Sequence, residues 1–279
     1  MTADAQPGGL MSYKDVGNRR LNLQAALGAT LRAMPGLWLG AAGALLVCTA
    51  VWLVPVFRTL TGWTVPVWAI AAGMTTLVAM GGLARLSVTG SVRAARALGL
   101  GPAGLQFGRP EVRLVVSALF CLIFLAMILI VLALAVVAVA GAAGLDVAAI
   151  QARDWNSVGA PWKLGLLAVP GAAALLILLL FVVRLSLFVP ATMGRNQVVS
   201  LNSMGIAYGS YWPLLAGLII TALPMAGLVA VVRTAGLAAS LRPVILVVGL
   251  VWLQLPLTLA LLGTAYRRLE YWTPGEAAQ

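Results

Sequence analysis

The chain has 279 residues, 62% of them hydrophobic; it carries 18 Lys or Arg, seven Asp or Glu and no His, for a net charge of +11. Its mean hydropathy is +1.03, whereas soluble domains are roughly 45–50% apolar, so hydrocarbon must be the solvent for most of this chain. A soluble enzyme is excluded, and nucleic acid is not expected as a partner, because the basic residues are spread along membrane edges and loops rather than gathered in one domain.

Residues 1–34 read as a cytoplasmic segment, since they hold Lys14, Arg19, Arg20 and Arg32 and no compact apolar core followed by a small-residue cleavage site. Within 19–34, Leu23, Ala26, Leu27, Leu31 and Met34 recur at helical spacing while Arg20, Gln24 and Arg32 lie largely elsewhere. That pattern predicts an amphipathic helix lying in the headgroup plane. A membrane domain over 35–266 follows, with six stretches that each supply the roughly 20 helical residues a crossing needs: 35–57, 63–86, 114–144, 162–192, 211–232 and 243–266. Runs such as LIFLAMILIVLALAVVAVA (122–140) are continuous rather than alternating, which rules against a barrel. The expected fold is all-α, a polytopic bundle of three hairpins. The third and fourth stretches exceed one perpendicular crossing and must tilt, kink or project. Less apolar lead-ins precede the second and third hairpins at 92–113 and 193–212; Gly99, Gly101, Pro102 and Gly104 divide the first of these into a short helix, a turn and a docking segment. Pro170, Pro224 and Pro256 fall inside the last three spans, where each removes a backbone donor. Residues 267–279 form a cytoplasmic tail.

The basic residues test this topology independently. With both termini inside, Lys14, Arg19, Arg20, Arg32, Arg85, Arg93, Arg96, Arg109, Arg113, Arg184, Arg195, Arg267 and Arg268 share the inner side, 13 of 18, and Arg58, Arg153, Lys163, Arg233 and Arg242 the outer. The positive-inside rule favours that orientation, in a bacterial inner membrane. Tryptophans mostly mark boundaries, and Trp252, in mid-span, is the exception.

All seven carboxylates, Asp4, Asp15, Glu111, Asp146, Asp154, Glu270 and Glu276, fall outside the six stretches. Proton- or sodium-coupled transport commonly needs an acid or His at the midplane, and hydrolytic triads and zinc sites need groups this chain does not hold in its spans. No enzyme activity, metal or cofactor is expected, and Cys48 and Cys121 read as apolar fillers. Arg184 is the one charge within an apolar run, LLILLLFVVRLSLFVPATM (175–193); it must snorkel to the interface or grip a phosphate or acidic partner. In LQFGRPEVRL (105–114), Arg109 and Arg113 lie on one side of a helix beginning near Pro110, with Glu111 close enough to pair. With Arg195 on the same side of the membrane, these residues are the candidate contacts for anionic headgroups or a partner.

The motifs GRPEVRLVV (108–116) and RLSLFVPATMGRNQVVSLNSMGIAYGSYWPLL (184–215) carry a resemblance. Over about 100 residues the chain resembles bacterial six-span proteins whose domain is named after the membrane portion of glycerophosphoryl diester phosphodiesterases. The resemblance implies six spans with amphipathic lead-ins. The phosphodiesterase activity in that name resides in a separate soluble domain, so it implies no catalytic residue here. The function expected is binding, as an accessory subunit of a membrane complex or an organiser of lipids, with anionic headgroups and a membrane-protein partner or homo-oligomer as partners. The alternative is a flippase-like conduit for an anionic amphipathic or lipid substrate, which would gather Thr30, Thr75, Thr76, Ser186, Asn202, Thr221, Gln254 or Thr258 around one cleft.

Overall fold

The computed structural model describes residues 20–152 and 160–270. Lys14, Arg19, Arg153, Asp154, Trp155 and the tail beyond Glu270 lie outside these residues. Among the described residues there is no strand, and six helical segments are long and apolar enough to cross a membrane. Span 1 is α1 (Leu23–Phe57), span 2 α2 (Thr64–Thr89), span 3 α4 (Arg109–Ala142), span 4 α6 (Pro161–Leu185) and span 5 α9 (Tyr211–Thr234). Span 6 joins α10 (Leu241–Val248), a π-helical turn (Gly249–Gln254) and α11 (Leu255–Leu269). The shorter helices are α3 (Val92–Ala97), α5 (Val147–Ala152), α7 (Phe188–Arg195) and α8 (Ser203–Ile206). This is an all-α, multi-pass membrane protein.

Two lead-ins depart from expectation. Residues 23–34 form no separate interfacial helix but continue into span 1, making one helix of 35 residues, about 52 Å long at 1.5 Å per residue. Strong helix formers fill this stretch, and Pro35 removes only one ladder bond. Leu21 and Ala26 are buried with Leu214, Leu261 and Ala265 of spans 5 and 6, so the segment docks on protein. The third lead-in forms only the short α7 and α8. The middle one folds as expected, as α3, a 3₁₀ turn at Pro102–Gly104 and a segment docked on span 1. Gly104 makes that docking feasible: its φ is +79°, and a Cβ there would stand 2.8 Å from Ala41 Cα.

Spans 1, 2 and 6 pack tightly on one another, with span 5 against span 6, forming a four-span body. Small residues set the approach. A Cβ on Gly40 would stand 2.7 Å from Leu86 Cδ1, and one on Gly263 2.2 Å from Ser87 Oγ. Spans 3 and 4 form a hairpin joined to the body at one end. The buried residues of span 3 are Glu111, Leu114, Ser117 and Cys121 in its first turns, then only Ala140 near the far end. Between these its side chains meet span 4 or lie open, as with Ile130 and Leu134. Phe124 and Phe181 stack edge to face, 5.5 Å apart, where the two helices meet.

The tryptophans of the body close gaps opened by proline. Pro256 lacks the N–H that would bond the carbonyl of residue 252, and Trp38 Nε1 donates to that carbonyl instead at 2.7 Å. Pro55 frees the carbonyl of Val51 in the same way, and Trp68 Nε1 fills it at 2.9 Å. Trp252 itself donates to Thr49 Oγ1 and Trp52 to Thr76 Oγ1, both at 2.9 Å. The mid-span position of Trp252 is thus explained by a partner inside the body rather than by an interface.

Candidate functional site

The ends of the spans carrying Arg20, Thr89, Arg109, Leu185, Tyr211 and Leu269 share one face, tied by long-range bonds. Leu21 N–H donates to Ser210 Oγ (3.1 Å), and Arg268 Nη2 to Ala25 O (3.3 Å). At this basic end Arg20, Arg32, Arg93, Arg96, Arg109, Arg267 and Arg268 are exposed. The two described carboxylates here, Glu111 and Glu270, are engaged within the protein. The surface field is therefore positive and uncompensated by neighbouring acids.

The five residues singled out from sequence do not form one site. Glu111 is not a partner of Arg109 or Arg113 and does not reach the surface; that expectation is corrected. Its Oε2 accepts the N–H of Gly108 at 2.9 Å, closing the first turn of α4, and its Oε1 lies 2.6 Å from Nη1 of Arg85 on span 2. The side chains of this pair are 1% and 2% exposed, and Gly81, where a Cβ would stand 3.0 Å from Glu111 Oε1, leaves it room. From sequence, Arg85 reads only as one of the inner-side basic residues. The signal for it was a second charge set among small residues, Gly81, Gly82 and Ala84.

Arg113 Nη1 donates to both the backbone carbonyl and Oδ1 of Asn196, the latter at 2.6 Å. Arg195 grips Glu270 with two bonds, 3.0 and 2.7 Å, fastening the end of α7 to the end of span 6. As a contact for headgroups Arg195 is thus already occupied. Arg184 stands apart and half-buried, its guanidinium 5.9 Å from the ring centre of Tyr208, at the limit of cation–π reach. Of the five, Arg109 alone is exposed.

The second feature is a partly enclosed cavity of about 500 Å³ between the body and the base of the span 3–4 hairpin. Cys48 and Trp52 line it from span 1, Thr76 and Met80 from span 2, Val182 and Ser186 from the end of span 4, Leu218 from span 5 and residues of span 6 from Leu250 to Leu262. Thr76, Ser186, Gln254 and Thr258 meet here, four of the eight polar residues expected around one cleft. The others do not. Thr30, Thr75 and Thr221 bond carbonyls of their own helices, and Asn202 is exposed. No lining residue is charged. Arg184 lies between Val182 and Ser186 in sequence but, at about 100° per residue, turns away from the face they share.

Among the described residues no group of three or more His, Cys, Asp or Glu comes together. The fold and these two features define a six-span membrane protein with a basic end and an uncharged internal cavity. No protein-family model, curated protein or solved structure matches the chain.

Proposed function

We propose that this chain acts by binding rather than by chemistry, holding anionic lipid headgroups at its basic end as a lipid organiser or as a subunit of a membrane complex. The observation that carries the reading is the set of seven exposed arginines at one end with no exposed carboxylate among the described residues there. Each basic side chain near an anionic leaflet contributes about 1 kcal/mol of attraction. The charge bias supports a cytoplasmic position for this end, with both termini on the cytoplasmic side of a bacterial inner membrane. The resemblance to the membrane portion of glycerophosphoryl diester phosphodiesterases supports a non-catalytic membrane module and adds no substrate.

A flippase-like conduit for an anionic lipid is the second reading, favoured by the cavity and the polar residues it gathers. Its uncharged lining weighs against passage of an anionic head. Extraction of the chain from its own membrane into polymer nanodiscs, followed by mass spectrometry of proteins and lipids, tests the first reading. Enrichment of one anionic lipid class, lost when Arg93, Arg96 and Arg109 are changed together to Gln, is the expected result. A lipid profile equal to that of the surrounding membrane, with no stoichiometric protein partner, refutes it.

A further inference from the structure

We propose that the cavity between the four-span body and the hairpin base binds a long-chain alcohol, a single apolar chain ending in one uncharged hydroxyl. This site is separate from the basic end, and the inference stands without the headgroup reading. The volume of about 500 Å³ falls within the roughly 300–1,000 Å³ of small-molecule sites. Its walls are almost wholly apolar, which suits a chain, and the absence of any charged lining residue excludes an ionic head.

The terminal group follows from the hydrogen-bond inventory. Thr76 Oγ1 is used twice, donating to Ala72 O at 2.7 Å and accepting from Trp52. Ser186 Oγ donates to Val183 O at 2.7 Å. Gln254 and Thr258, one turn apart, are different: Gln254 Nε2 donates to Thr258 Oγ1 at 2.8 Å, leaving Gln254 Oε1 buried without a partner and the hydroxyl proton of Thr258 unspent. Turning the amide over would spend the Thr258 proton on Gln254 Oε1 and leave Nε2 wanting only an acceptor, so it is the orientation with Nε2 donating to Thr258 that calls for a hydroxyl. Among these apolar walls an unpaired amide oxygen is costly, and a ligand that satisfies it gains specificity. Gln254 Oε1 needs a donor and the Thr258 proton an acceptor. A hydroxyl supplies both, whereas an ether or ester supplies only an acceptor. The π-helical turn ending at Gln254 positions this side chain, and π-turns recur at functional sites.

The test uses the full chain in nanodiscs and three photoreactive probes with the same sixteen-carbon diazirine chain: the alcohol, its methyl ether and its phosphate. The expected result is alcohol adducts on peptides holding Trp52, Thr76 and Leu250–Leu262, three- to tenfold above the ether, and displaced by unlabelled hexadecanol. Gln254→Leu should abolish the preference. Thr258→Val should do the same and stands in if the first variant does not accumulate. Equal labelling by alcohol and ether would mean filling by bulk acyl chains and overturns the proposal. So does a preference for the phosphate, or an alcohol preference that survives in both variants.

Discussion

The four-span body and the span 3–4 hairpin are built from equally apolar sequence, yet only the body is packed along its depth. In the body, small residues admit close approach, indoles fill the carbonyls that prolines leave open, and Leu45, Leu83 and Leu261 are fully buried. The hairpin runs from a well-packed base at Glu111, Leu114 and Ser117 into a far half whose two helices touch mainly each other. Hydropathy alone therefore identifies what enters the membrane, and packing inside it is decided by small residues and by polar atoms that must find partners. The cavity lies where the packed region gives way to the unpacked one.

The largest expected effect is at the joint. Arg85→Leu leaves Glu111 buried and unpaired and should cost about 3–5 kcal/mol, whereas Arg85→Met with Glu111→Leu should recover most of that loss. Unfolding by sodium dodecyl sulfate titration distinguishes the two, and a double variant as unstable as the single would mean the pair does more than satisfy itself. Next, Leu45→Ala in the body should cost about 2–5 kcal/mol. Leu134→Ala, at a side chain 64% exposed, should stay within about 0.5 kcal/mol. Equal losses would erase the distinction between the regions. Gly263→Ala should destabilise by about 1–3 kcal/mol through the clash with Ser87. Gly171→Ala in span 4, where a Cβ meets nothing within 4 Å, should be neutral or mildly stabilising. A smaller loss than at Gly263 is expected for Trp252→Phe, which removes the bond to Thr49 and should cost about 0.5–1.5 kcal/mol in thermal unfolding.

Six spans were legible because runs such as 122–140 have no other solvent, and each of the six begins or ends within a few residues of the hydropathy limits. Span 1 starts at Leu23, twelve residues before Pro35, which reads as a boundary, because the alanine-rich turns before it are helical and their buried face meets spans 5 and 6. The partner of Glu111 was not legible. Arg109 and Arg113 are its neighbours in sequence, but the space made by Gly81 brings Arg85 to it from another helix. Half of the polar set expected in one cleft is there. Thr30, Thr75 and Thr221 lie away from it, and because a threonine hydroxyl can satisfy itself on a carbonyl of its own preceding turn, a polar residue in a span does not by itself mark a cleft.

The contrast between packed body and unpacked hairpin is tested most directly by electron-paramagnetic distances in nanodiscs, on a Cys48→Ser, Cys121→Ser background. One spin-label pair, Val67→Cys with Val137→Cys, spans body to far hairpin, and a second, Arg93→Cys on α3, which packs on span 2, with Val112→Cys, reports on the hairpin base. That contrast predicts a narrow distribution for the base pair and a markedly broader one for the far pair. Two distributions of the same narrow width would contradict it, because the far half would then be held by contacts that the packing described here does not contain.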